Sequence, residues 1–269
     1  MAEPLISQDE RAQRAGLPFS AVIITRNAAS QIEACLQSVS FADEILIVDS
    51  GSTDATLAIA QRFGARVIHQ EWLGYGRQKE FAARQAKNSW VLSLDADERV
   101  SEELRHSIQQ ALGSPRFHAG RLARCNRFMG RWLRHGEGYP DWSLRLYHRE
   151  HARWSDDPVH EKVETDGKII TLMGDLLHES EQGIDDYLAK QNRYTTLQAE
   201  ALHRAGRRAN PLKLVLSPLF RFIKFYFLRL GFLDGVPGLV HISIGCFNSY
   251  CKYAKLIELR RHHDRSGEA

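Results

Sequence analysis

Cysteine is scarce in this chain: 4 residues in 269, at Cys35, Cys125, Cys246 and Cys251, with no C-x-x-C pair among them. That scarcity excludes a cysteine-ligated zinc module and a dithiol redox centre, and the thiols are expected to be reduced and structural. An excess of one charge is also missing. The 36 basic residues face 33 acidic ones, a net of +3, which is too even for wholesale nucleic-acid binding, so no nucleic-acid partner is expected. No uninterrupted apolar run reaches the ~20 residues a spanning helix needs. Met1 to Gly16 is polar and charged, without an apolar core behind basic residues, so residues 1–17 read as a leader tail rather than a secretory signal. A cytoplasmic location is expected. What the chain does have is 43% hydrophobic residues, enough for a real core.

The apolar residues come in short β-branched runs that end abruptly in polar ones. Phe19 to Thr25 reads as a strand stopped by Arg26-Asn27, and Glu44 to Val48 as a second, stopped by Asp49-Ser50-Gly51-Ser52-Thr53-Asp54. Helical spacing covers Ile32 to Val39 and Ala55 to Phe63, the latter with Gly64 as its cap. Arg66 to His69 is a short third strand, and Gly76 to Ala86 another helix. Strand and helix alternating over short polar turns predict an α/β layer structure with a mainly parallel sheet flanked by helices. In such a sheet the ligand crevice lies beyond the carboxyl ends of the strands, so the polar stops should converge in space.

The stretch Trp90 to Glu98 sharpens this. A buried strand delivers Asp95, Asp97 and Glu98 to the same rim, where their mutual repulsion must be offset by a cation, a proton or a base. A hard divalent ion with oxygen ligands, Mg²⁺ or Mn²⁺, is the simplest compensation; a solvated acidic turn is the other reading. A helix is expected from Ser101, as N-cap, to Leu112, with Glu102 and Glu103 in its first turn. Strands follow at Gly120 to Met129 and Ser143 to Tyr147, separated by loops rich in Gly, Arg, His and Trp. Arg121, Arg124, Arg127, Arg131, Arg134 and His135 read as loop cations suited to a phosphate-bearing or acidic acceptor, with a solvated basic face as the alternative.

Ile184 to Ala205 reads as a long helix closed by Gly206, and from Asn210 to Leu259 apolar and aromatic residues interleave with Lys213, Arg221, Lys224 and Arg229. That pattern predicts amphipathic helices lying on a membrane surface, or packing on a partner. The expected division is a catalytic domain over 18–182 and a C-terminal helical region over 183–269.

Two motifs together, Val48 to Asp54 and Leu94 to Glu98, resemble the family 2 glycosyltransferases of GT-A fold. Thr25-Arg26-Asn27, Tyr139 to Leu146 and Val159-His160-Glu161 bring the likeness closer to the bacterial lipopolysaccharide core β-1,4-glucosyltransferases. The resemblance implies a nucleotide-sugar donor, UDP-linked, and an inverting transfer of a hexose to a lipid-linked inner-core acceptor at the inner face of the cytoplasmic membrane. It also implies that Thr25, Asn27 and Asp49 line the nucleotide pocket, and that Asp95 contacts the ribose or helps hold the metal. Asp97 would bind the metal bridging the donor diphosphate, with His178 completing its site.

Lys79 stands where the family often has Arg and could offset phosphate charge; an exposed helix lysine is the alternative. Glu161 is the candidate base and Asp141 the runner-up, because this chain has His160-Glu161 where the family more commonly has a Glu-Asp pair. The rival readings are a phosphohydrolase using Asp95 as nucleophile, a non-catalytic adaptor at a membrane surface, and, among transferases, one acting on polyprenyl phosphate.

Overall fold

The computed structural model describes residues 16–157, 161–179 and 183–267, with side chains through Arg261; most of the leader, and Val159 and His160 of the quoted motif, lie outside them. The chain divides into two compact units, one ending at Arg124 and resuming over Asp141–His178, the other made of Cys125–Pro140 and the chain from Glu179 onward. The segment 125–140, which sequence places inside an 18–182 domain, thus packs with the C-terminal helices.

The first unit is built on a sheet. Strand β1 (Phe19–Thr25) is buried along its whole length, with Ala21 and Ile23 in one core and Val22 and Ile24 in the other. A strand apolar on both faces needs a layer on each side. Helices α1 (Ile32–Ser38), α2 (Thr56–Arg62) and α4 (Glu102–Gly113) supply Leu36, Ile59 and Leu104 to the first core. Helix α3 (Tyr75–Gln85) supplies Ala82 and Ala83 to the second. The caps follow the sequence: Ser101 Oγ accepts from Leu104 N at 3.3 Å.

Strands β2 (Glu44–Asp49), β3 (Arg66–His69) and β4 (Trp90–Asp95) run parallel with β1. The remaining strands are β5 (Glu98–Val100), β6 (Ala119–Phe128), β8 (Asp141–His148) and β11 (Ile169–His178). The order is β3-β2-β1-β4-β8-β6-β11-β5. The expected parallel sheet is therefore half of a mixed one. Strand β8 lies antiparallel to β4 and β6, and β11 antiparallel to β5. A small pair, β9 (Arg153–Trp154) with β10 (Val163–Glu164), stands apart. This is the α/β architecture expected of the GT-A type.

One expectation is corrected here: Arg121, Arg124 and Arg127 lie on β6, not in a loop. They project from a partly exposed strand, where alternation hides apolar residues such as Leu122 and leaves the charges at the surface or paired.

In the second unit β6 ends and turns through Met129 and Gly130, both at positive φ, into β7 (Arg131–Trp132). Helix α5 (Ile184–Arg204) precedes α6 (Pro211–Phe222), which Asn210 caps by accepting from Lys213 N at 3.0 Å. A π-helical turn (Ile223–Leu228), Leu230 at φ +55° and a 3-10 helix (Gly231–Asp234) then lead to α7 (Gly235–Gly267). The axes of Pro211–Leu228 and Gly231–Arg261 differ by 74°.

Candidate active site

The carboxyl ends of β2, β1 and β4 lie side by side, with Thr25 in register with Asp49 and Ile24 with Asp95. Sequence-distant polar stops therefore meet at one sheet edge. Asp49 is 2% exposed, and its carboxylate accepts from the backbone N–H groups of Gly51 and Ser52, both at 2.9 Å. Gly51, at φ +91°, makes that tight return possible. Asn27 adopts φ +51°, and its side-chain oxygen accepts from Thr53 N at 2.7 Å, tying the β1 stop to the β2 stop. Gln78 of α3, fully buried, donates to Ser50 Oγ at 3.0 Å and holds the same loop from the other side. Thr25 Oγ1 is buried and finds no hydrogen-bond partner among the described residues.

The acids are compensated by protein cations. Lys79 Nζ lies 3.0 Å from Asp95 and 3.4 Å from Glu161, and it is 2% exposed, not the exposed helix lysine of the alternative reading. Arg145 of β8 reaches Asp95 at 3.2 Å and Glu98 at 2.8 Å. Glu98 is fully buried, so it is an internal anchor and not a rim acid as the sequence suggested. It also accepts from Asp95 N at 3.0 Å and faces Arg124 at 3.6 Å. Arg124 in turn grips Asp141 through two nitrogens, at 2.7 and 2.9 Å. The indole of Trp154 lies under both Lys79, at 4.8 Å, and Arg145, at 5.7 Å, and its quadrupole offsets part of their lost hydration.

These contacts fix charge states. Burial alone would raise the Asp95 pKa, but the Lys79 and Arg145 cations overcome it and hold the carboxyl well below the usual carboxylate range. Burial would lower Arg145, and Glu98 and Asp95 raise it instead. Arg124 is raised against burial by Glu98 and Asp141.

At the end of this network Asp97 and His178 touch, Nε2 to Oδ2, at 3.2 Å. Antiparallel pairing of β11 with β5 sets His178 opposite Glu98 and so beside the turn that carries Asp97. Among the described residues no group of three His, Cys, Asp or Glu side chains could enclose a metal. The pair instead fits a divalent ion that completes its shell with ligand oxygens and water, the habit of hard cations in phosphate sites. Asp95, Asp97, Glu98, Asp141 and Glu161 gather here with Lys79, Arg124 and Arg145.

The structure thus brings Thr25, Asn27 and Asp49 to one part of the edge, Lys79, Asp95 and Glu161 to another, and pairs Asp97 with His178. Asp141 enters only through Arg124. Arg145 and Gln78 are the site residues that sequence reasoning passed over, and Arg124, read there as a loop cation, is instead an internal partner of Glu98 and Asp141. The signal for Arg145 was present: an arginine between two leucines, Leu144 and Leu146, on a strand that buries its neighbours must have an internal partner.

The family model described as glycosyl transferase family 2 matches residues 20–166. An uncharacterized glycosyltransferase of Rickettsia bellii is 35% identical over 256 residues, covering 90% of this chain and 86% of that protein. The lipopolysaccharide core biosynthesis glycosyltransferase LpsC of Rhizobium meliloti is 31% identical over 250 residues, covering 90% of this chain and 93% of that one. Among solved structures, S. aureus TarS 1-349 in complex with UDP-GlcNAc aligns with a TM-score of 0.47 at 16% identity, over 91% of this chain and 92% of that one. A single family model thus covers more than half of the chain, and the relatives span nearly all of it: the protein is a member of glycosyl transferase family 2.

Proposed function

We propose that this glycosyltransferase moves a hexose, glucose, from a UDP-linked donor to a lipopolysaccharide inner-core acceptor at the inner face of the cytoplasmic membrane, with inversion at the anomeric carbon. The observation that carries the reading is the contact of Asp97 with His178 at the sheet edge where the Thr25, Asn27, Asp49 and Asp95 stops converge. The similarity to LpsC over 90% of the chain supports the acceptor class.

In this reading the nucleoside lies against Thr25, Asn27 and Asp49, where the buried Thr25 hydroxyl still has a hydrogen bond to give. The diphosphate lies toward Lys79 and toward Arg145, whose Nη1 is buried and unpartnered among the described residues. Asp97 and His178 would hold the Mg²⁺ or Mn²⁺ ion, which would supply positive charge toward the diphosphate. Lys79 is already buried beside its carboxylates, so turning toward phosphate costs it little further desolvation.

Glu161 takes the proton of the acceptor hydroxyl as its oxygen attacks C1. The C1–O bond to phosphate breaks in the same step, and an α-linked donor yields a β-linked product. Glu161 suits this role better than Asp141. Among the described residues its contact with Lys79 is 3.4 Å long, whereas Asp141 is clasped by two nitrogens of Arg124 at 2.7 and 2.9 Å, so Glu161 is the less tightly held of the two carboxylates.

The test is Glu161→Gln beside Asp141→Asn, with transfer and UDP affinity both measured. Glu161→Gln is expected to lower transfer by ~10²- to 10⁴-fold while UDP affinity holds. The reverse pattern reassigns the base. Transfer from no sugar nucleotide to any lipopolysaccharide core acceptor would end the proposal.

A further inference from the structure

The second unit leaves many large apolar side chains exposed, on its helices and around the bend between two of them. Helix α6 exposes Leu212, Val215 and Leu219 at helical spacing, and the exposed run continues around the 74° bend, where Leu228 is 75% exposed and Val236 66%, with Phe232 and Leu233 between them. A contiguous apolar patch of this kind on a folded surface marks something that covers it.

Charge identifies the cover. Between Arg207 and Leu256 the sole acid is Asp234, against cations that include Arg208, Lys213, Lys224 and Lys252. Asp234 is itself 2% exposed, and its carboxylate accepts from the backbone N–H groups of Arg134 and His135 at 3.0 and 2.8 Å. A second copy of this chain would oppose cation to cation; an anionic lipid surface neutralises them. No single helix among the described residues is long and apolar enough to cross a membrane, whereas the two helices that meet at the bend are apolar enough to enter one together, by length and composition.

Asp234 also fastens a basic segment to that bend. Arg131 donates to Leu233 O at 2.9 Å, and Arg131, Arg134 and His135 line a cavity of about 560 Å³ with Trp132, Asp234 and Pro237. Guanidinium and imidazole donors with an indole beside them suit a phosphate that carries an apolar or sugar substituent.

We propose that the bend from Leu228 to Leu239 is a wedge that enters the apolar layer of an anionic leaflet, and that the Arg131–His135 cavity receives a phosphate-bearing lipid headgroup. This deepens the membrane part of the proposed function. The apex of the helix pair leads, rather than one amphipathic face lying flat.

The experiment is cosedimentation of the full chain with vesicles of phosphatidylcholine, alone or mixed with phosphatidylglycerol, without donor or acceptor. Its failure is therefore separate from any failure of the transferase reading. Circular dichroism confirms that each variant is folded. The wild-type chain is expected to bind the anionic vesicles at least about tenfold more tightly than the neutral ones. Phe232→Ser with Val236→Ser should lower binding roughly tenfold or more on anionic vesicles. Arg131→Glu with Arg134→Glu should lower it on anionic vesicles and leave neutral ones unchanged, and Met173→Ser, an exposed apolar residue of the other unit, should change neither. Wild-type binding by the Phe232 and Val236 variant would overturn the proposal. So would a solution dimer that the same variant dissolves.

Discussion

The two units differ in how densely they gather charged groups. The sheet unit buries ions against ions: Lys79 between Asp95 and Glu161, and Arg145 between Asp95 and Glu98. The helical unit holds its ionisable groups in isolated pairs, Asp234 with His135 and Arg221 with Glu137, or among neutral groups. Lys255 Nζ sits among oxygens of Asn192, Thr195 and Thr196 at 2.7 to 2.9 Å, His241 meets Tyr187 Oη at 3.1 Å, and Asp234 accepts backbone N–H. Ions already desolvated in mutual contact can exchange partners when a charged ligand arrives, at little further desolvation cost. Neutral cages offer no such exchange. The contrast teaches that the dense ionic network belongs to the first unit.

The largest effect that tests this contrast is Arg145→Met. It leaves Asp95 and Glu98 facing each other without their shared cation, and should cost about 3–5 kcal/mol in urea unfolding. A loss no greater than that of Lys255→Met would break the comparison.

Next is the acid response of the helical unit. Burial pushes the His241 pKa down from 6.5 to about 4, so between those values the unfolded chain binds more protons and stability falls as the pH falls. The full shift amounts to about 3 kcal/mol, and His241→Phe should flatten the stability profile between pH 6.5 and 4. Asp95 behaves otherwise: its pKa is depressed, so its contribution is complete above 3.8 and is lost only below that. A profile of His241→Phe as steep as wild type's would blur the distinction. The smallest effect is Ser101→Ala, about 1 kcal/mol from a lost helix cap, which thermal unfolding can read and which involves neither kind of buried charge.

The parallel half of the sheet, its helices and the Ser101 cap were legible because local pattern determines them. A strand such as β1 that must be apolar on both faces announces itself, and so does a serine before two glutamates. The antiparallel half was not, since β6, β8 and β11 carry mixed polarity whose pairing depends on distant partners. For the site, the converging stops at Thr25, Asn27, Asp49 and Asp95 followed from the topology rule, and the structure places them together. What sequence could not supply was the compensation. Repulsion among Asp95, Asp97 and Glu98 was legible, and a metal was its expected answer; Arg145 and Lys79 answer part of it, and Asp97 meets His178. Likewise Arg124 reads as a loop cation until β6 and β8 pair and bring it to Asp141.

Equilibrium binding of UDP to the full chain, in Mn²⁺ and then in excess chelator, tests the central claim most directly when repeated on Asp97→Ala with His178→Ala. The account predicts that Mn²⁺ tightens UDP binding by roughly tenfold or more, on the order of 1.4 kcal/mol, and that the double variant binds UDP equally with and without the ion. UDP affinity that ignores the chelator in the wild-type chain, or a Mn²⁺ effect undiminished in the variant, would contradict it.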